Sequence, residues 1–353
     1  MNAAARPGGE AASLAELWRG LFDPPVFPWL GRSDAAAWFN DDDAERQAGT
    51  RALSGASPAI VRRVHDKGWA VAVARGETLD PPLLRGLPTA LAPEELRASG
   101  AAARVAGILA GWPSWARARF TLKPRIGTSG RGRVAGVDGV VSAKMLGAFD
   151  RLAGRGGAVL EPWLDRVADA SAQLHIAEDG AVTLLGTLRI VTTPSGQPKG
   201  HRGECDARGR VNSGISEEDI LHTAAKVVGA RAAGDGYHGP CGIDAFAFGS
   251  PVDGTRTFRP MVEFNARFTA GTVALGHLAR HVVTVRTELG LASDESWHFY
   301  IGRGVGGGSA APKRGAVVLS LLEGSHACAG TPVLVAARER EAVSEWLDVS
   351  AQR

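Results

Sequence analysis

Apolar positions along this chain follow two rhythms, and their succession predicts a mixed α/β protein. Residues 57–74 (SPAIVRRVHDKGWAVAVA) repeat at helical spacing, opened by Ser57 and by Pro58, whose fixed φ suits a first turn. Residues 119–123 read as a strand, 141–154 as a helix and 157–164 as a second strand, which together make a small α/β unit. Residues 171–177 and 182–192 alternate or run apolar around Asp179-Gly180 and predict an antiparallel hairpin. Ser216 and the acids after it open a helix that runs to about residue 233, ended by Gly234 and Gly236. Two more strands flank Asp253-Gly254. A glycine-rich link, GRGVGGGSAAPKRG, then leads to a final strand-rich segment and a short helix near Glu341.

The N-terminal residues lack such a rhythm. Residues 1–12 are rich in Ala, Gly and Pro and predict an unstructured tail, followed by a short helix, a proline-rich passage and an acidic helix start at 40–45. The expected divisions are therefore 1–57, 58–118, 119–165, 166–302 and 303–353.

With 353 residues, two or three folding units are expected. Forty basic residues against 37 acidic ones leave a net charge of +3, too small to point to nucleic acid or an anionic membrane as the main partner. Cys205, Cys241 and Cys328 form no CxxC pair, so neither a zinc ribbon nor a disulfide framework is expected. No stretch has signal-peptide or bilayer-spanning character, and the expectation is a soluble cytoplasmic protein.

Three segments carry candidate chemistry. In FTLKPRIGTSGRGRVAG, Lys123 on a strand precedes Gly127, Gly130 and Gly132, whose missing Cβ atoms let backbone N–H groups approach an anion. It is not a Walker loop, because Arg133 and Val134 follow Gly132. Nor do Gly130, Gly132 and Gly136 have dinucleotide-fingerprint spacing. In AVLEPWLDRVAD, Glu161 ends an apolar strand and Pro162 stops it. In the third segment Glu263 and Asn265 share a strand face, and a two-residue turn at Asp253-Gly254 puts Asp244 directly across from Glu263. A bulge at Pro251 or Pro260 would alter that register. Hard oxygen ligands of this kind suit Mg²⁺, with Mn²⁺ as an alternative. Arg267 falls on the same face, and Arg189 ends the LLGTLR strand.

The order and spacing of these segments resemble the ATP-grasp superfamily, whose best-known members join a carboxylate to an amine through an acyl phosphate. The resemblance spans roughly residues 59–289. It implies two α+β lobes with ATP between them, and the short stretch before Lys67 implies a reduced N-terminal region. Lys123 would then face the α and β phosphates under a loop whose donors are Thr128, Ser129 and Arg131. Asp66-Lys67 resembles the family's earlier nucleotide lysine. Glu161, Trp163 and Leu164 would meet the adenine at the hinge, and Asp169 would take the ribose, with Asp165 its competitor. Asp244, Glu263 and Asn265 would hold the metal, and Arg267 or Arg189 the acyl phosphate or substrate carboxylate. Arg125, Lys199 and His201 are weaker candidates.

The implied partners are a small-molecule or peptide carboxylate and an amine acceptor, and a homo-oligomer stays open because a second copy could complete the acceptor site. Two other readings also stay open: an ATP-binding regulator without turnover, and a small-molecule phosphotransferase.

Overall fold

The computed structural model describes residues 21, 26–27, 56–127, 132–192, 198–304, 315–321 and 331–349. The expectations for Thr128, Ser129, Gly130 and Arg131, and for the helices before residue 56, lie outside the described residues.

Two helices open the described chain, α1 (Pro58–His65) and α2 (Lys67–Gly76). The sequence rhythm predicts one helix here, but Asp66 is extended, at φ −67° and ψ 125°. Its carboxylate accepts from the Gly68 N–H at 2.6 Å and pairs with Arg125, Nη2 to Oδ2, at 2.7 Å. These bonds reward the break and make Lys67 the first residue of α2.

The small lobe follows: β1 (Thr89–Leu91), α3 (Pro93–Arg97), α4 (Ala101–Ala110), α5 (Ser114–Ala118), β2 (Arg119–Pro124), β3 (Val134–Val137), α6 (Ala143–Leu146), α7 (Phe149–Ala153) and β4 (Ala158–Pro162). Gly147, the C-cap of α6, divides what the sequence presents as one helix. The four strands lie in the order β1-β4-β2-β3. Phe120, Leu122, Leu160, Leu109 and Met145 are sealed against the small helices, each contributing about 1.5–3 kcal/mol by burial.

The large lobe is built on β5 (Arg166–Ile176), β6 (Val182–Thr192), β7 (Pro198–Cys205), β8 (Val211–Asn212), α8 (Glu218–Gly234), β9 (Gly239–Gly249), β10 (Arg256–Asn265), α9 (Ala270–Leu289), β11 (Trp297–Arg303), β12 (Ala316–Ser320), β13 (Pro332–Ala337) and α10 (Arg340–Val349). Its sheet has the order β10-β9-β5-β6-β7-β11-β13-β12, with β8 added beside β7. One face carries α1, α2 and α8 over Ala170, Ala172, Leu174, Ile243 and Phe264. The other is covered in part by α9, against Leu188, Trp297 and Phe299. Among the described residues no helix is long and apolar enough to cross a membrane.

The β9-β10 hairpin reaches the expected pairing by a different route. Its tip is longer than two residues, because the Ser250 N–H bonds the Thr255 carbonyl at 2.8 Å and Arg256 pairs with Gly249. A bulge between Arg259 and Glu263 then resets the register, so that Glu263 faces Asp244 and Asn265 faces Gly242. Pro260, which has no N–H for the ladder, lies inside that bulge.

Candidate functional site

Cross-strand pairing fixes which side chains share the bare part of the large sheet. Glu263 is opposite Asp244, and Asp244 is opposite Ser171 on β5. Paired residues point to one face and strand neighbours alternate, so Asp169 joins the same face. The Asn265 amide donates to Asp244 Oδ2 at 3.2 Å, and Arg267 Nη2 donates to Asn265 Oδ1 at 3.2 Å. Asp244, Glu263, Asn265 and Arg267 therefore form one connected set.

The two lysines arrive from outside this sheet. Lys67 Nζ lies 3.2 Å from Glu263 Oε2 and also donates to the Gly127 carbonyl, at the root of the glycine-rich turn. Its backbone N–H bonds the Arg125 carbonyl at 3.1 Å. Lys123 sits on β2 one diagonal from Glu161 on β4, with Nζ 2.8 Å from Oε1.

Asp80 and Arg259, which the sequence reading missed, connect the lobes. Arg259 bonds Glu161 Oε2 at 2.9 Å and Asp80 Oδ1 at 3.1 Å, and its side chain is only 4% exposed. A charge this deep is tolerated because two carboxylates answer it. The signal in the sequence is Pro260, since proline inside a strand marks a bulge able to turn its neighbour inward.

These groups set one another's charge. Burial would raise the Glu161 carboxyl, but Lys123 and Arg259 outweigh it and hold the group at about 2. Burial likewise opposes ionisation of Glu263, and Lys67 and Lys123 again reverse the balance and lower it. Asp244 moves the other way, raised by burial and then by Glu263 across the ladder. His65, also missed, is buried beside the set. Burial first, then Arg267 and Lys67, drives its pKa down to about 3 and keeps the ring neutral. Its Nδ1 is buried without a hydrogen-bond partner.

The other expected residues divide. Gly127 and Gly132 have φ of 148° and 79°, and a Cβ on either would stand within 3.6 Å of Arg155 Nη1, so the two ends of the loop meet one guanidinium. Trp163 lies beneath Arg133, whose guanidinium carbon is 4.6 Å from the ring centre. Leu164 packs with Leu84, Phe246, Phe248 and Val262. Asp165 is exposed and paired with Arg119 at 3.0 Å, whereas Asp169 is half-buried and paired with Arg166 at 2.8 Å. Arg125 is taken by Asp66. The Lys199 carbonyl accepts from the Tyr300 hydroxyl at 3.3 Å, and His201 pairs with Ile190, on neither strand of the carboxylate set.

Arg189 does not join the site. It is paired with Ala170, the neighbour of Ser171, and therefore points to the opposite face from Asp244. The two faces of β6 look alike in the sequence, because LLGTLRIVT is apolar on both.

Solved structures share this architecture at low sequence identity. A biotin carboxylase from Campylobacter jejuni, in complex with β-γ-ATP, is 16% identical, with a TM-score of 0.54 over 88% of this chain and 71% of its own. An N5-carboxyaminoimidazole synthetase from Staphylococcus aureus complexed with ADP is 10% identical, with a TM-score of 0.51 over 89% and 77%. The fold is ATP-grasp. A pyruvate carboxylase from Rhizobium etli gives a TM-score of 0.52 at 17% identity over 89% of this chain, which spans 29% of that enzyme. No protein-family model matches the sequence, and no curated protein matches it.

Two residue sets on this ATP-grasp scaffold fit the groups expected of it. Asp244 and Glu263 oppose each other as half-buried carboxylates, an arrangement that a divalent cation would relieve, and Asn265 adds a neutral oxygen. Among the described residues no three His, Cys, Asp or Glu side chains cluster as a complete cage. That suits an ion such as Mg²⁺, which takes part of its shell from water and phosphate. Lys67 and Lys123 supply positive charge beside the glycine turn, where phosphate would lie.

Proposed function

We propose that the chain is an ADP-forming, ATP-dependent carboxylate-amine ligase that makes an amide or peptide bond through an acyl phosphate. The observation that carries this reading is one connected set drawn from three parts of the chain: Lys67, 3.2 Å from Glu263, Asp244 across the ladder from Glu263, and Asn265, which donates to Asp244 and accepts from Arg267. The nucleotide complexes of the Campylobacter jejuni and Staphylococcus aureus proteins support ATP as the second substrate.

In this reading Lys67 and Lys123 hold the phosphate chain, and the turn from Gly127 to Gly132 covers it. Glu161, Trp163 and Leu164 bound the adenine side, and Asp169 takes the ribose. Asp244, Glu263 and Asn265 hold Mg²⁺, which would neutralise phosphate oxygens when bound. The substrate carboxylate oxygen attacks the γ-phosphorus, the bond to the ADP oxygen breaks, and Arg267 steadies the charge on the transferred group. The amine nitrogen then attacks the acyl carbon and phosphate departs, taking up the proton that the amine releases. Neutral His65, next to Arg267 and Lys67, adds no charge to this step.

A second copy of the chain that completes the acceptor site belongs to this reading. So does a cytoplasmic setting, which agrees with the free thiols of Cys205 and Cys241.

The test is a trap. Pooled amino acids, peptides and organic acids are incubated with the protein, ATP, Mg²⁺ and hydroxylamine, a strong nucleophile toward a mixed anhydride. Mass spectrometry should find a hydroxamate, lost in Glu263→Gln. A carboxylate that drives ATP turnover without ever giving a hydroxamate or an amide would leave the phosphotransferase reading in its place. Nucleotide binding with no turnover across the pools would leave the regulator.

A further inference from the structure

Four arginines from four separate elements converge on the face of the large sheet that turns away from Asp244. Arg189 on β6 stands directly opposite Arg202 on β7, while Arg256 opens β10 and Arg340 opens α10. Arg189, Arg256 and Arg340 line an open pocket of about 530 Å³ whose remaining wall is Gly214, Ile215 and Ser216.

Like charges directly opposed on neighbouring strands cost about 0.2–1 kcal/mol. Arg256 is answered by Glu217, Nη2 to Oε2 at 2.9 Å, and Arg340 Nη2 donates to the Gly214 carbonyl at 2.9 Å. Glu218, next in the chain after Glu217, is spent on Thr187, Ser213 and His222. Arg189 is left half-buried under the influence of the other three. Burial first, then Arg202, Arg340 and Arg256, pushes its pKa down to about 10, with Asp169 a smaller opposing influence. Gly214 is shaped to this cluster: its φ is +68°, and a Cβ would come within 2.7 Å of Arg340 Nη2.

Guanidinium forks match the paired oxygens of carboxylates and phosphates, and several forks around one opening select a ligand with more than one negative charge. The pocket also has the volume of a small-molecule site rather than that of a lone ion. We propose that it binds a small oxyanionic metabolite carrying two or more negative charges, a phosphate ester or a polycarboxylate, separately from the nucleotide.

The probes are inorganic pyrophosphate and citrate, titrated calorimetrically into the full chain and into Lys123→Ala, Arg189→Gln, Arg340→Gln and Arg189→Lys. At least one probe should bind wild type and Lys123→Ala alike. Arg189→Gln and Arg340→Gln should each weaken that event by about tenfold or more, with Arg189→Lys in between. A preference for pyrophosphate assigns a phosphate ligand, and a preference for citrate a carboxylate one. Arg189→Gln should also melt no lower than wild type, since it removes repulsion; should it fail to fold, Arg340→Gln carries the comparison. The idea is overturned if neither anion binds up to about 10 mM. It is also overturned if the binding vanishes in Lys123→Ala, or if it is unchanged in the arginine variants that fold.

Discussion

Arg259 Nη1 lies 2.9 Å from Glu161 Oε2, so the large sheet is held to the small one by an ion pair that is almost fully buried. The same guanidinium reaches Asp80, whose side chain is 6% exposed. Arg259→Leu would take this guanidinium from two buried carboxylates at once, leaving Glu161 to Lys123 alone. It should destabilise the protein by about 3–5 kcal/mol in urea unfolding. A loss under about 1 kcal/mol would mean that the pair contributes little to joining the lobes.

Acid should act through the same carboxylate. The folded value of Glu161, about 2, lies below its ordinary 4.5. Its contribution is therefore complete above about pH 4.5 and is lost as pH falls toward 2, up to roughly 3 kcal/mol. Glu161→Gln should be less stable than wild type near neutrality and should show a flatter acid limb. Parallel curves for the two proteins would contradict this.

Nucleotide affinity should depend on both lysines. Lys67→Ala and Lys123→Ala each remove a positive charge beside the glycine turn, and each should weaken a non-hydrolysable ATP analogue with Mg²⁺ by about tenfold or more. Calorimetry decides this, and wild-type affinity in both variants would move the phosphates elsewhere.

Asp244 and Glu263 should separate stability from turnover. Asp244→Asn removes the carboxyl that burial and Glu263 already disfavour as an anion, so its melting temperature should hold or rise. Glu263→Gln gives up the Lys67 pair and should melt lower. Both should lose ATP-dependent phosphate release. If Asp244→Asn turned over normally, its carboxylate would not be a metal ligand.

The sequence made many of the strands, the strand end at Pro162 and the pairing of Asp244 with Glu263 legible because each rests on local pattern. Asp244 faces Glu263 as expected, although two departures cancel on the way: the hairpin tip is longer than assumed, and the β10 bulge restores the pairing. The break at Asp66 was not legible, because its reward is a tertiary bond to Arg125, distant in sequence. Arg259 was hidden for a similar reason. An arginine in TFRPMVEF reads as solvent-facing until Glu161 and Asp80 are seen to surround it. Arg189 was placed with the reaction centre because a strand apolar on both faces does not reveal which side its last charge takes.

The bulge on β10 gives one hairpin two independent reading frames. From Gly249-Arg256 to Phe246-Arg259 the strands keep one frame, and from Asp244-Glu263 inward they keep another. A change of length at the tip around Asp253-Gly254 is therefore absorbed before it reaches the carboxylates. That tip is a natural graft point, where an epitope or a reporter peptide can be spliced in while the chemistry at the far end of the ribbon keeps its alignment.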